Sequence, residues 1–210
     1  NGAFTIGAGN GLKAPATSGT TNISIAGWVK WDGTSGGTNQ ILFYNGSSGT
    51  NGFGFLLNTT NQLRCLFGGG SSIALSPGLS PNVWTHLALV GPTSGGGSWK
   101  VYFNGREILS AIPALSTPVG FFTIGMNDVN GENFRGSVAD MRVYSRSLNE
   151  NDINELAQRA TQANVGDSYN NASTGLVLNF HMDNGSNNSS SAIPDLGLTG
   201  STGASAIGKD

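Results

Sequence analysis

The stretch ISIAGWVKW at residues 23–31 indicates the class of structure that this chain forms. Short apolar or alternating runs of this kind are typical of β-strands. Similar runs recur along the chain with Gly, Asn and Pro between them, which predicts an all-β, two-sheet antiparallel β-sandwich of the jelly-roll type. The predicted strands lie at residues 3–8, 23–31, 40–44, 53–57, 62–67, 72–75, 84–90, 99–103, 107–110, 121–125, 137–144 and 176–181.

One short helix is predicted at about residues 149–161, after the strand that ends at residue 144. Asn149 is a suitable N-cap, and Asp152 stands at the third position of a capping box. The apolar residues that follow recur at helical spacing on one face, so the helix is expected to cover one end of the sandwich. These residues are Ile153, Leu156, Ala157 and Ala160.

The composition argues against two classes of partner. The chain of 210 residues has 10 Lys and Arg against 12 Asp and Glu, so it lacks the basic stripe that a nucleic acid would need. No apolar run approaches the roughly 18 residues of a membrane span. With 37% hydrophobic residues, the chain has enough apolar side chains for one domain with its own core.

Three residues with reactive side chains, Cys65, His86 and His181, lie in predicted strands. Cys65 has no partner for an internal disulfide and stands in the alternating run LRCLF, which predicts a buried free thiol. Neither histidine lies beside a Ser or Cys with a third orienting group. Both are therefore interpreted as strand histidines rather than as catalytic bases or metal ligands.

Four segments together resemble a known family. They are residues 23–31 (ISIAGWVKW), 82–90 (NVWTHLALV), 100–106 (KVYFNGR) and 134–148 (FRGSVADMRVYSRSL). Their order and spacing resemble those of laminin-G-like domains of the concanavalin A-like lectin/glucanase type. The resemblance implies a jelly roll in an extracellular, cell-surface or virion-surface protein. It does not imply one activity, because this fold carries lectins, glycanases, adhesion modules and spacers.

The order of the family's motifs is changed in this chain. Members usually open with a Gly-Leu-Val strand ending in Asp, then an Asp-x-x-Gly loop and a Phe-x-x-Gly strand. Here GLVLNFHMD and PDLG lie near the C-terminus, whereas FTIG lies near the N-terminus, so the module resembles one that is circularly permuted or cut in the middle. The predicted parts are a main body at residues 1–162, a linker at 163–174 and a displaced opening segment at 175–210.

The displaced strand is expected to fill a gap in a sandwich, because an empty position would leave an unpaired edge. It completes either its own sandwich in cis or the sandwich of a neighbouring copy in trans. A junction placed arbitrarily within a longer tandem polypeptide is a third possibility. The residues of this predicted assembly strand are Leu176, Leu178, Phe180 and Met182.

The sequence is compatible with three functions. The first hypothesis is a non-catalytic structural module of an extracellular filament, surface layer or virion surface, whose copies join head to tail through the displaced strand. The alternative is a glycan-binding or adhesion domain, and the third is a glycosidase of the same fold. The expected partners are therefore copies of the chain itself, or cell-surface or matrix glycans.

An acidic cluster tests the glycosidase hypothesis. Glu150, Asp152 and Glu155 fit the Glu-x-Asp-x-x-Glu pattern of retaining glucanases that share the fold. Those enzymes need two carboxylates converging at about 5 Å. On a helix, Glu150 and Asp152 point about 200° apart, and acidic residues in a first turn stabilise the helix dipole. We therefore expect a chain that is not an enzyme and has no catalytic residues.

Calcium is the one cofactor that the sequence suggests, since Ca²⁺ takes about six to eight oxygen ligands from carboxylates, amides and carbonyls. Candidate ligands are Asp183 and Asp195 in the displaced opening, with Asn127, Asp128, Asn130 and Glu132 in one loop. Ala139 and residues 8–11 occupy places where family members usually carry acidic residues. Part of the usual oxygen set is therefore missing, and the sequence leaves open whether calcium binds or no cofactor does.

A sugar site needs at least one exposed aromatic ring beside amide groups. On sequence, Tyr44 with Asn45 and Phe53 with Asn51 meet this condition, as does Tyr169 with Asn170. Each ring has an equally good interpretation as part of the core or its rim. Tyr44, Asn45 and Phe53 are the candidate ligand-binding residues.

Overall fold

The computed structural model describes residues 3–7, 10–68, 71–158 and 174–180. These residues form two antiparallel sheets packed face to face and one short helix, which confirms the predicted all-β sandwich. The strands are β1 (Phe4–Ile6), β2 (Leu12–Pro15), β3 (Ser24–Trp31), β4 (Gln40–Asn45), β5 (Phe53–Leu57), β6 (Leu63–Phe67), β7 (Ser71–Ala74), β8 (Thr85–Val90), β9 (Trp99–Phe103), β10 (Arg106–Ala111), β11 (Phe121–Ile124), β12 (Gly136–Tyr144) and β13 (Leu176–Phe180), and the helix α1 spans Glu150–Gln158.

The strands divide into two sheets of similar size. Sheet A is seven-stranded, with the order β1-β12-β3-β8-β9-β10 and with β13 also paired to β12. Sheet B is six-stranded, with the order β2-β11-β4-β5-β6-β7. Among the described residues, no helix has the length and the apolar character needed to cross a bilayer.

The core lies between the two sheets because each strand points alternate side chains inward. Ile25 and Val29 of β3 face Phe55 and Phe67 of sheet B within one apolar cluster. Cys65 is a free thiol in the same cluster and is fully buried, as predicted. Burial raises the pKa of this thiol well above its usual value, so it stays protonated and unreactive.

Each predicted strand occurs within two residues of its predicted ends, but one strand was missed. β2 lies at an edge of sheet B and pairs with β11. Its four residues, LKAP, end in Pro15, which has no N–H to donate and is tolerated at a sheet edge. Only Leu12 and Ala14 of β2 face the core, so the segment is too short and too polar to show an alternating pattern.

The helix α1 begins as predicted with a reciprocal capping box. The backbone N–H of Asp152 donates to Asn149 Oδ1 at 3.0 Å, and the N–H of Asn149 donates to Asp152 Oδ2 at 2.9 Å. Ile153 and Leu156 are buried against the outer face of sheet A, where they contact a cluster that includes Tyr102. Residues 159–161 of the predicted helix lie outside the described part of the chain.

One edge of β12 is shared by the first and the last described strands. β1 pairs with residues 136–138 of β12, and β13 pairs with residues 141–144. Both run antiparallel to β12, so β13 and β1 lie end to end along the same edge. Of the placements left open by the sequence, the structure has β13 paired in cis, within its own sandwich. Met182 and the rest of residues 181–210 lie outside the described part.

The cis placement of β13 can be tested with Leu178, which is 5% exposed and belongs to the core cluster. We expect Leu178→Ala to lower the free energy of unfolding by about 2–5 kcal/mol, because a buried Leu is replaced by a cavity. Urea denaturation should also give a midpoint that does not change with protein concentration, for wild type and variant alike. A midpoint that rises with concentration would instead indicate strand exchange between copies.

Candidate functional site

A cleft of about 680 Å³ lies over the outer face of sheet B. Its floor consists of outward-facing residues of β5, β6 and β7, because the alternate residues of these strands pack in the core. The two walls are the loop after β4 and the loop after β11. The lining includes Leu56, Arg64, Leu66 and Ser72 on the floor, Ser48 and Gly49 on the first wall, Asp128 and Glu132 on the second, and also Asn39 and Asn58.

The first wall, residues 46–52, folds back over the sheet. The Tyr44 hydroxyl donates to the carbonyl of Asn51 at 2.9 Å, so the loop covers the ring. Asn51 Oδ1 accepts from the N–H groups of Ser47 at 3.1 Å and Val119 at 3.0 Å. At Gly52, φ is +84° and a Cβ would lie 1.9 Å from the carbonyl oxygen of Asn45, so only glycine fits this close approach.

The second wall, residues 127–132, is held by its own polar groups. Asn127 Oδ1 accepts from the N–H groups of Val129 at 3.2 Å and Gly131 at 2.7 Å, which closes a tight turn. From β2, Lys13 Nζ donates to the carbonyl of Asp128 and lies 5.1 Å from the ring centroid of Phe121. The second wall is therefore held both by hydrogen bonds within its own loop and by a hydrogen bond from β2.

Glu132 connects the loops around the cleft. Its Oε1 accepts from Asn39 Nδ2 at 2.9 Å, and its Oε2 accepts from Asn127 Nδ2 at 3.1 Å. The hydroxyl of Ser48, on the opposite wall, donates to Oε2 over a longer distance of 3.4 Å. The half-buried carboxylate is thus oriented by two amides before any ligand arrives.

Arg64 lies along the floor of the cleft. Its Nε donates to Ser72 Oγ at 2.9 Å, one terminal nitrogen donates to the Ser72 carbonyl at 2.7 Å, and the other donates to Gln62 Oε1 at 2.6 Å. These three bonds fix the position of the guanidinium, and Leu56 and Leu66 also line the floor. The cleft therefore combines apolar surface, the Arg64 cation and the carboxylates of Asp128 and Glu132.

The structure places the three predicted ligand-binding residues in the interior. Tyr44 is 1% exposed, and Asn45 and Phe53 are both 0% exposed. Asn45 exchanges hydrogen bonds with the backbone of Thr17, at 3.0 and 2.9 Å, and the Phe53 ring packs 4.5 Å from that of Trp99. These side chains have no surface to offer a sugar, which corrects the expectation from sequence. Tyr169 lies outside the described residues.

Four of the predicted calcium ligands, Asn127, Asp128, Asn130 and Glu132, belong to the second wall, in the described part of the chain. Asp183 and Asp195 lie outside that part of the chain. Asn127 and Asp128 lie on the second wall, where the side-chain oxygen of Asn127 is already used within its loop. In the described part of the chain, no three His, Cys, Asp or Glu side chains come close enough to hold a metal ion. Calcium binding therefore remains a prediction.

The acidic cluster at the start of α1 lies on sheet A, on the opposite side of the sandwich. Arg146 donates from two nitrogens to the carboxylate of Asp152, at 2.6 and 3.0 Å, and this pairing holds the pKa of Asp152 below its usual range. Glu150 is exposed. The geometry assigns Asp152 to the helix cap.

His86 lies in β8 on the outer face of sheet A and is 1% exposed. Its ring is 5.4 Å from that of Trp28. Burial, only partly offset by Asp140, lowers the pKa of His86 to about 4, so the imidazole is neutral near pH 7. It is distant from the cleft. His181 lies outside the described residues.

The floor residues of the cleft were not identified from the sequence. Leu56, Arg64, Leu66 and Ser72 read as parts of ordinary strands. One signal was available: in LRCLF, Arg64 and Leu66 alternate with core residues, so both must face outward together. An outward-facing leucine beside an arginine places apolar and charged side chains on the same surface. Of the wall residues, the sequence predicts Asn127, Asp128 and Glu132 as calcium ligands.

Comparison with known proteins gives one family and a set of structural neighbours. The family model that matches, over residues 6–154, describes the concanavalin A-like lectin/glucanases superfamily. None of the curated proteins is similar to this chain in sequence. The sequence identities to the structures below are under 25%, so these likenesses show the fold alone.

Three solved structures are similar to the chain. A candidate carbohydrate binding protein from Bacteroides ovatus has 17% identity and a TM-score of 0.64, covering 87% of this chain and 51% of its own length. The CBM40 of a Ruminococcus gnavus IT-sialidase has 14% identity and a TM-score of 0.57, covering 75% and 97%. Domain 4 of AbnA, an extracellular arabinanase from Geobacillus stearothermophilus solved with arabinotriose, has 24% identity and a TM-score of 0.51, covering 66% and 67%. The chain thus spans about half the length of the Bacteroides protein.

The structural role of Asp152 can be tested through pH. Because its folded pKa is depressed, its contribution to stability is present above the unfolded value of about 3.9 and is lost as the pH falls through the folded pKa. We expect Asp152→Asn to lower the free energy of unfolding at pH 7 by about 1–3 kcal/mol. The difference from wild type should shrink toward about pH 3. Urea denaturation at both pH values measures it.

The matched control is Glu150→Gln, which removes an exposed carboxylate from the same helical turn and should change stability by less than about 0.5 kcal/mol. Equal effects of the two substitutions, or a difference that grows as the pH falls, would show that Arg146 does not stabilise the Asp152 carboxylate.

Proposed function

The chain belongs to the concanavalin A-like lectin/glucanase superfamily, and on that premise we propose that it is a non-catalytic glycan-binding module. The ligand site in this proposal is the cleft between the two wall loops, on the outer face of sheet B. That cleft is the observation that carries the proposal. Its volume of about 680 Å³ is within the range of about 300–1,000 Å³ that is usual for ligand sites.

The chemistry of the lining suits a sugar. A sugar ring has hydroxyl groups that both donate and accept hydrogen bonds, and C–H faces that pack on apolar surface. Leu66 supplies apolar surface, while Asn58, Ser48 and Glu132 supply polar groups. The walls are pre-formed by internal hydrogen bonds, so little conformational entropy is lost when a ligand binds.

The arrangement of the carboxylates supports binding rather than hydrolysis. Glycosidases place two carboxyl groups on either side of the scissile bond. The two carboxylates of this cleft, Asp128 and Glu132, belong to the same wall loop. Glu132 is also held as a hydrogen-bond acceptor by Asn39 and Asn127.

The structural-module hypothesis has less support. Its joining strand, β13, pairs with β12 of the same chain. The neighbours described above include a candidate carbohydrate binding protein and a domain bound to arabinotriose, which favours glycans as partners over copies of the chain itself. An extracellular or cell-surface location follows from a glycan partner and is part of the same proposal.

The proposal can be tested by blocking the cleft with a new side chain. Gly49 lines the cleft, and a Cβ added there would have no atom within 4 Å, so a larger residue is accommodated without strain. We expect Gly49→Tyr to weaken glycan binding about tenfold or more, equivalent to at least about 1.4 kcal/mol. A glycan array identifies the ligand, and isothermal titration calorimetry measures its affinity.

The control is Gly95→Tyr, in the turn between β8 and β9, where a Cβ would meet only Thr93 Oγ1, at 4.0 Å. Both variants should melt within a few degrees of wild type, and only Gly49→Tyr should lose affinity. Unchanged affinity in Gly49→Tyr would exclude the cleft as the glycan site.

A further inference from the structure

We infer that Glu132 selects the class of glycan, because its carboxylate accepts hydrogen bonds from two adjacent hydroxyls of a neutral sugar. The module therefore binds polysaccharides whose sugar residues carry a free vicinal diol. This inference rests on the proposed function, because it assigns a ligand class to the same cleft. Three features of Glu132 support the inference: its acceptor positions, its backbone conformation and the charges around it.

The Glu132 carboxylate has one open acceptor position, on Oε1, and one position on Oε2 that is filled only by a long hydrogen bond. A carboxylate accepts about four hydrogen bonds, two on each oxygen. Oε1 is used by Asn39 and Oε2 by Asn127, while the bond from Ser48 to Oε2 is long, at 3.4 Å, and is readily exchanged for a ligand hydroxyl. Two neighbouring sugar hydroxyls match one open position on Oε1 and one exchangeable position on Oε2.

The backbone at Glu132 is held in a conformation that a glutamate seldom adopts. Its φ is +50°, in the left-handed region that costs a residue with a Cβ conformational energy. The surrounding bonds enforce it, since the Glu132 carbonyl accepts from the N–H of Ile41 at 2.7 Å and its side chain is held by Asn39. Strain of this kind concentrates at binding sites, where it fixes a functional group in advance.

The charges around the cleft favour a neutral sugar. A uronic or other acidic sugar would bring its own carboxylate toward Glu132 and Asp128, which lie on the same wall. Arg64 is the cation of the floor, and three of its N–H groups already bond to Gln62 and Ser72. A guanidinium has five N–H donors, so the remaining two can donate to sugar hydroxyls.

Three polysaccharides, each cast into a gel, separate the two requirements of a neutral sugar and a free vicinal diol, and affinity gel electrophoresis measures the binding. Glucomannan is neutral and 1,4-linked, with adjacent free hydroxyls on C2 and C3. Linear β-1,3-glucan is neutral but has no adjacent free hydroxyls within the chain. Polygalacturonate has the diol and a carboxylate. We expect glucomannan to retard the protein at concentrations about tenfold or more below those of the other two.

Two further measurements address Glu132 itself. Glu132→Gln should weaken glucomannan binding about tenfold, whereas Glu150→Gln, the same change on the opposite side of the sandwich, should leave it unchanged. Periodate cleaves the C2–C3 bond of vicinal diols, so glucomannan that has been oxidised and then reduced with borohydride should no longer retard the wild-type protein. This second measurement does not depend on how the Gln variant folds.

The outcomes distinguish this inference from the proposed function. Equal retardation by β-1,3-glucan, stronger retardation by polygalacturonate, or binding that survives periodate would overturn the diol inference. If that binding is still lost in Gly49→Tyr, the cleft remains the glycan site with another specificity. Absence of retardation by all three polysaccharides would count against both proposals.

Discussion

The hydrogen-bonding edges of β12 are the constraint on which the rest of the sandwich depends. β3 pairs along one edge, but the other edge is divided between β1 and β13. Without either short strand, part of that edge would be left with unpaired backbone groups. The division coincides with an irregularity at Asp140, whose φ is +48° and whose carboxylate pairs with the buried Arg142 at 2.7 Å. Two short strands, β1 and β13, thus share one edge of β12.

The outer faces of the two sheets have different roles. The helix α1 covers part of the outer face of sheet A, where Tyr102 and Tyr144 are buried with Leu156. On sheet B, loops stand at the sides and leave a floor of strand residues between them. The loop that forms the first wall also covers Tyr44, so the same segment both buries part of the sheet and shapes the cleft. One outer face is thus covered by a helix, whereas the other has an open cleft between two loops.

Strand positions and the helix cap could be predicted from the sequence because they depend on local patterns. Apolar alternation located the strands, and the Asn149–Asp152 pair located the start of the helix. β2 was missed because its few inward side chains gain their burial from β11, more than a hundred residues later in the chain. The failure of the sugar-site prediction has a similar cause. Whether Tyr44 is exposed depends on the path of the loop at 46–52, which no local pattern specifies.

The burial of Cys65 has a consequence for where such a module can work. A lone surface thiol in an oxidising compartment forms mixed disulfides and cross-links neighbouring molecules. Here the sulfur is enclosed in β6, on strands where Cys65 pairs with Phe55 on one side and Ile73 on the other, and the thiol stays protonated. Because neither oxidant nor partner thiol reaches it, the fold is indifferent to the redox state of its surroundings, and its only cysteine serves as a small apolar side chain.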